Sequence, residues 1–246
     1  MSKIFEKKNQ FVKLLLNWWT SNKREFPWRS TKDPYSILIA EMLLRKTTAK
    51  QVEKIYTQFL TKYPDPNSLA DADKNELEEL LKPLGMEYKR AELLKKFGLY
   101  IKENYDGKIP LELKKLLKLP GIGMYAANAV LSFVCSKDVP LLDTNFIRVI
   151  NRVFGIKSQK SRARDDKKIW EFAQTLIPSN NSKNFNLAVL DFAALICKAK
   201  KPKCSECPVK NICFYYAKEG ININNTAVFG FVSFLFNLIL LYLKSL

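Results

Sequence analysis

Four cysteines, Cys197, Cys204, Cys207 and Cys213, fall within 17 residues in the pattern Cys-x6-Cys-x2-Cys-x5-Cys, while Cys135 stands alone. Four clustered thiolates can hold structural zinc or an iron–sulfur cluster, and spacing alone leaves both open. The chain of 246 residues contains no histidine. That excludes His-dependent triads, His-ligated zinc and imidazole acid–base chemistry. Two carboxylates stand out instead. Asp143 directly precedes Phe146, Val149, Ile150 and Val153, which places it at the N-cap of a helix. Such a group can stabilise a developing positive charge on a sugar, and capping by backbone N–H groups would keep it ionised. Glu41 is the only charge before Arg45 in the run from Pro34 to Thr47. A buried carboxylate is unfavourable without a partner, so Glu41 marks either a pocket for a polar ligand edge or a salt bridge to a nearby arginine. Gly121-Ile-Gly123 is the remaining candidate. Two glycines let backbone approach a partner closely, and free N–H groups at the next helix start can bind a phosphate oxygen.

The elements that must carry these residues read as helices. Phe11, Leu14, Leu15, Trp18 and Trp19 recur at helical spacing, and the segment Arg24-Glu-Phe-Pro-Trp-Arg29 ends that helix in a loop. The 34–47 run is apolar on nearly every side, which predicts a core helix continuing through Arg45 and Lys46. Further helices are expected at about 49–62, 74–82, 89–104 and 111–118, separated by Pro64-Asp-Pro66, Pro83-Leu-Gly85 and Asp106-Gly107. Leu119-Pro-Gly-Ile-Gly123 then turns the chain between two helices, the second opening on Ala126, Ala127, Val130 and Leu131. Cys135 is expected on the apolar face of that helix as a core thiol. Trp170–Ile177 and Phe185–Ile196 supply two more helices before the cysteines. With 8 glycines, 11 prolines and 47% hydrophobic residues, the expectation is an all-α fold with a sizeable core.

Lys and Arg number 41 against 24 Asp and Glu, a formal charge of +17. A surface so positive attracts polyanions, and both nucleic acid and anionic membrane are admissible. The chain opens without a cleavable signal, so the clustered cysteines read as an intracellular metal site and not as disulfides. From Ala227 to Leu243 there are seventeen residues without a charge. That is the lower edge of what spans a bilayer, so a membrane tether through 227–243 is an alternative to a packed helix.

Leu119-Pro-Gly-Ile-Gly-Met-Tyr-Ala-Ala, followed by Leu142-Asp143-Thr-Asn-Phe-Ile-Arg148-Val and then the four cysteines, resembles the helix-hairpin-helix DNA glycosylases of the endonuclease III and MutY superfamily. The likeness runs from about residue 11 to 217. It implies two all-helical domains with a DNA-binding cleft between them. A six-helix domain at 32–137 would hold the hairpin, while residues 1–31 would pack with a cluster domain at 138–217, leaving 218–246 as an apolar tail. The cysteines would ligate a 4Fe-4S cluster, with Lys198, Lys200, Lys201, Lys203 and Lys210 facing phosphates. Asp143 would be catalytic, and Glu41 matches a base-recognising or acid–base glutamate. Gly121 and Gly123 would anchor a phosphate. Arg45 and Lys46 would fill the space left by a flipped nucleotide or touch phosphate, and Met86 matches a position that wedges between bases, core packing being its alternative. Arg148, on the helix capped by Asp143, would hold that carboxylate or a phosphate. The partner implied is double-stranded DNA bearing a mismatched or damaged base, bound by a monomer in the cytoplasm, associated with the nucleoid.

Tyr125 stands where bifunctional relatives carry a lysine that forms a Schiff base. A phenol cannot do so, and the resemblance therefore implies a monofunctional enzyme in which water completes the displacement. Leu44-Arg-Lys-Thr-Thr-Ala and Arg24-Glu-Phe-Pro-Trp-Arg29 look like the thymine DNA glycosylases acting on G·T and G·U mismatches. The MutY-type adenine glycosylases, acting on A opposite G or 8-oxoguanine, are the alternative, and a DNA-binding protein without turnover is the alternative of another class.

Overall fold

The computed structural model describes residues 2–218, and among them every regular element is a helix. The α-helices that build the core follow in order: α1 (Ser2–Thr20), α2 (Pro27–Ser30), α3 (Pro34–Leu43), α4 (Ala49–Lys62), α5 (Pro66–Ala70), α6 (Lys74–Leu81), α7 (Glu87–Tyr105), α8 (Leu113–Leu116), α9 (Met124–Phe133), α10 (Thr144–Phe154), α11 (Lys167–Gln174) and α12 (Ser182–Leu195). The apolar segment 227–243 lies outside the described residues. No helix among those described is long and apolar enough to cross a membrane.

Local chemistry explains most boundaries. Phe11, Leu15 and Trp19, four apart on α1, are buried against α12. Asp33 caps α3 by accepting from Ser36 N at 2.8 Å, with Pro34 in the first turn where its missing N–H does no harm. Thr48 and Gln51 form a capping box on α4. Pro64-Asp-Pro66, read from sequence as a separator, instead starts α5, because Pro66 takes a first-turn position and Asp65 pairs with Ser68 in a second capping box. α5 lies so close to α7 that a Cβ at Gly98 would stand 2.7 Å from Ala70 N and 2.9 Å from Pro66 O. The helix expected at 111–118 shrinks to the single turn of α8. Its Glu112 cap accepts from Lys115 Nζ at 2.6 Å but from no backbone N–H, and Pro120 disfavours helix at the residue before it.

α7 packs on α5 and α6, and α3 on α9. On the other side α12 packs on α1 and α10. The buried apolar side chains of both groups form one continuous core. α3 ends at Leu43, earlier than its apolar pattern suggests, and Arg45 and Lys46 fall in the following turn, where Lys46 takes a left-handed conformation with φ 55°. The cause is Arg90 of α7. Its guanidinium donates to the carbonyls of Met42 and Leu43, both at 3.3 Å, to Arg45 O at 2.6 Å and to Gly85 O at 2.8 Å. These include last-turn carbonyls with no partner within the helix. Cys135 lies just past the end of α9, half-buried, and not on its apolar face.

Candidate active site

Glu41, Tyr125 and Asp143 come from α3, the start of α9 and the cap of α10, more than eighty residues apart in the first case, and they line one cleft of about 680 Å³. That volume suits a small ligand or a single extruded nucleotide. Gly123, Met124, Arg45, Arg24, Arg29, Arg164 and Trp170 share the cleft, while Leu44, Ala49, Leu187 and Leu190 give it an apolar wall. Every cation among these lining residues is an arginine.

Asp143 is the cap the sequence pattern indicates. Oδ1 accepts from Asn145 N at 2.9 Å and Phe146 N at 2.8 Å, and Oδ2 from Asn145 Nδ2 at 2.5 Å. The expectation that capping alone would settle its charge needs correction. Burial raises its pKa above the ordinary carboxylate value, and the bonds from Phe146 and Asn145 together with the Arg148 charge only reduce that rise. Glu41 is more strongly perturbed. Burial, and then the nearby Asp143 charge, push its carboxyl up to about 8, against the opposing fields of Arg45 and Arg29. It is therefore a neutral acid at neutral pH, next to a second carboxyl that bonds favour as the anion. Burial first, and then both carboxyls, also raise the Tyr125 phenol well above its usual value, so it stays a neutral hydroxyl.

The hairpin joins the cleft through Gly123. Gly121 has φ 78° and a Cβ there would press on Leu93 at 3.0 Å, whereas a Cβ at Gly123 would meet nothing within 4 Å. Gly121 is thus needed by the turn, while the space beside Gly123 is open to a ligand. Arg45 Nη2 donates to Gly121 O and ties the turn after α3 to the hairpin. A neighbouring pocket brings together Arg45, Lys46, Met86 and Arg90. Met86 is 47% exposed with φ 57°, so the core-packing alternative is excluded.

Arg148 is placed otherwise than expected. Nε donates to Cys197 O at 2.9 Å, Nη2 to Ala193 O at 3.0 Å and Nη1 to Asn145 Oδ1 at 2.9 Å. It fastens α10 to the end of α12 and, through Asn145, orients the Asp143 amide partner, so it serves the protein and not a phosphate. Arg152 does the same one turn later, donating to Lys198 O at 2.6 Å and Ala199 O at 3.0 Å.

Cys197, Cys204, Cys207 and Cys213 ring a common void with Arg152, Val209 and Tyr215. Burial pushes the Cys207 thiol up to about 12, with the other three cysteines adding to the rise, so a nearby cationic centre would favour its thiolate. They surround a space and do not meet at a point. Four thiolate donors with no histidine suit a site that takes sulfur ligands alone. A cluster of several irons takes its thiolates at separate corners, which fits this ring. Lys198, Lys200, Lys201 and Lys203 are exposed around it. Lys203 pairs with Glu206 at 3.0 Å, and the half-buried Lys210 donates to Ser205 O at 3.1 Å.

Two features escape the sequence pattern. Asp191 is wholly buried, yet it accepts from Trp19 Nε1 at 2.8 Å, Arg24 N and Nε at 3.1 and 2.5 Å, and Arg29 Nη1 and Nη2, both at 2.8 Å. Burial pulls its pKa up, but the bonds from Arg29, Trp19 and Arg24 overcome that and hold it below the usual carboxylate range. It fixes Arg29, whose charge reaches Glu41, and Phe26, which stacks on Trp28 with centroids 4.8 Å apart. A lone acid in the apolar run of α12 is the same signal that singles out Glu41 in α3. Arg90, with 9% exposure, is the other, and only its carbonyl partners reveal its task.

A glycine hairpin at the rim of an acid-lined cleft, in an all-helical fold with a four-cysteine ring, is the arrangement that the resemblance to helix-hairpin-helix DNA glycosylases implies. Residues 39–175 match the HhH-GPD superfamily base excision DNA repair protein family, and residues 197–213 the iron-sulfur binding domain of endonuclease III. The chain is 47% identical over 214 residues to the thymine/uracil-DNA glycosylase of Pyrobaculum aerophilum, which covers 85% of this chain and 93% of that protein. It is 34% identical to the adenine DNA glycosylase of Buchnera aphidicola subsp. Schizaphis graminum, over 85% of this chain and 60% of that one. Among solved structures, a thermostable thymine-DNA glycosylase superposes with a TM-score of 0.82 at 41% identity, covering 87% of this chain and 98% of that chain. The chain belongs to the HhH-GPD superfamily of base excision DNA repair proteins.

Proposed function

We propose that the protein is a monofunctional DNA glycosylase that releases thymine or uracil mispaired with guanine and leaves an intact abasic strand. The observation that carries this is the pairing of a neutral acid, Glu41, with a bonded carboxylate, Asp143, in one cleft whose lining cations are all arginines. The likeness to thymine/uracil-DNA glycosylases supports the choice of base. So does the apolar wall of Leu44, Ala49, Leu187 and Leu190, which suits the 5-methyl group of thymine.

In this reading the domains are 32–137 and the pairing of 1–31 with 138–217, and a monomer binds duplex DNA in the groove between them. Gly121 and Gly123 anchor a phosphate, and Met86 enters the stack with Arg45 and Lys46 beside it. A mispaired base swings out at reduced unpairing cost. Asp143 stabilises the oxocarbenium-like sugar. Glu41, protonated, donates to a carbonyl oxygen of the departing pyrimidine and offsets the negative charge that develops there. Tyr125 donates a hydroxyl and crowds the sugar. Water attacks the sugar carbon from the free face, as no lining residue offers an amine. Cys197, Cys204, Cys207 and Cys213 hold a 4Fe-4S cluster that supports the loop 198–212.

Duplexes carrying G·T, G·U, A·G or A·8-oxoguanine, incubated with the protein and split by hot alkali, test this reading. Breaks at T and U opposite G are expected, with no nicking before alkali and no adduct trapped by borohydride. Cleavage confined to the adenine strands would assign the adenine activity instead.

A further inference from the structure

Between α10 and α11 the chain runs through Lys157-Ser-Gln-Lys160-Ser-Arg162-Ala-Arg164-Asp-Asp-Lys167-Lys168. This segment carries the densest run of cations among the described residues outside the cysteine loop, and none of the roles above uses it. Lys157, Lys160, Arg162, Arg164, Lys167 and Lys168 are all exposed. Lys167 pairs weakly with Glu171 at 3.7 Å. The other five have no carboxylate within 4.0 Å among the described residues.

The loop is nonetheless held in shape. Asp166, buried, accepts from Ser158 Oγ at 2.7 Å and Gln159 N at 3.3 Å at one end, and from Lys168 N at 3.0 Å at the other. Trp170 Nε1 donates to Arg164 O at 2.7 Å, and Lys160 Nζ to Asp165 O at 2.9 Å. The same residues that lock the loop seat it at the active cleft. Arg164, Asp165 and Trp170 line it together with Asp143, Thr144 and Asn145. Exposed cations without a paired carboxylate are unfavourably crowded unless an anion joins them. A preorganised row of them gives up little conformational freedom on binding a polyanion.

We propose that the 157–168 loop is a second DNA-backbone clamp, gripping phosphates beside the cleft that the Gly121–Gly123 hairpin also borders. The inference rests on the DNA glycosylase reading but concerns binding and not turnover. Arg162, Arg164 and Lys168 point to phosphates, and Trp170 offers a ring at the cleft wall for the nucleotide beside the flipped one.

The test uses the full chain carrying Arg162→Gln, Arg164→Gln and Lys168→Gln together, and an undamaged duplex. Each phosphate no longer neutralised lowers the slope of log affinity against log salt by about 0.9, so a fall of roughly 2 to 3 is expected. Ethylation interference on the mismatched duplex should show one set of phosphates released while the hairpin set persists. A reversal variant, Arg162→Glu with Lys168→Glu, should weaken binding further, and an unchanged melting temperature separates these effects from misfolding. An unchanged salt slope with an unchanged interference pattern would overturn the clamp. So would loss of capture by anionic phosphatidylserine vesicles with DNA binding intact. A wild-type protein that shows the full footprint yet releases no base would instead remove the glycosylase reading and leave the clamp standing.

Discussion

At the residue scale, two carboxyls of the same chemistry are driven to different states by their surroundings. Glu41 has almost no hydrogen-bonding support and is neutral, whereas Asp143 has three donors. Asp143→Asn keeps a cap on α10 but loses the charge beneath the sugar. It should lower the single-turnover rate by about 10² to 10³-fold, with circular dichroism unchanged. For Glu41 the pH sets the test. If its protonated form does the work, base release should fall as pH rises through about 8, and Glu41→Gln, a fixed neutral donor, should flatten that limb. Stability obeys the same sign. The folded state holds the proton up to about 8 while an unfolded glutamate gives it up near 4.3, so folding stability falls with rising pH between these values and levels off above. Glu41→Gln should remove that slope in denaturant titrations. Asp143 is legible in the sequence because it stands at the N-cap of an apolar helical pattern, and Glu41 because a charge inside an apolar run demands a reason. Asp191 satisfies the same criterion and still escapes notice, since its partners lie 162 to 172 residues away.

At the element scale, caps and glycines decide the boundaries. Helices such as α4 can be read to the residue because Thr48 and Gln51 state where it begins. α3 cannot, because what stops it is Arg90, a residue nearly fifty positions further on. A side chain whose role is to fill carbonyl valences of another helix leaves no periodic trace. The two hairpin glycines separate folding from binding. Gly121→Ala should destabilise the protein by about 1–2 kcal/mol, the usual penalty for a left-handed alanine. Gly123→Ala should leave thermal unfolding almost unchanged, since its Cβ meets nothing, yet weaken DNA binding by intruding where a phosphate is expected. Equal effects of the two substitutions on affinity and stability would remove the phosphate-anchoring role.

At the scale of the whole molecule, the helical class and the cysteine ring are legible from composition and spacing, whereas the domain bounds and DNA contacts are proposed from the resemblance. Arg148 shows the limit of that route. An arginine at helical spacing reads toward DNA in the sequence, but its donors face Cys197, Ala193 and Asn145. Mixed chemistry holds the N-terminal segment to α12. Asp191→Asn leaves Arg24 and Arg29 without their counter-charge and should destabilise the fold by about 3–5 kcal/mol, the usual result of breaking one partner of a buried ion pair. Chemical denaturation would measure it. Removal of the iron by a chelator should broaden proteolysis at 198–212, with α3 to α9 staying protected, because those helices pack among themselves.

The Asp191 junction also dictates an order of events during synthesis. Arg24 and Arg29 leave the ribosome early, but the oxygen atoms that hold them arrive more than 160 residues later. Until then Arg24 and Arg29 lack their counter-charge, and only the packing of α2 on α3 and α4 holds that wall beside Glu41. A chain without α12 has neither the counter-charge for Arg24 and Arg29 nor the Leu187 and Leu190 wall, so its cleft is incomplete.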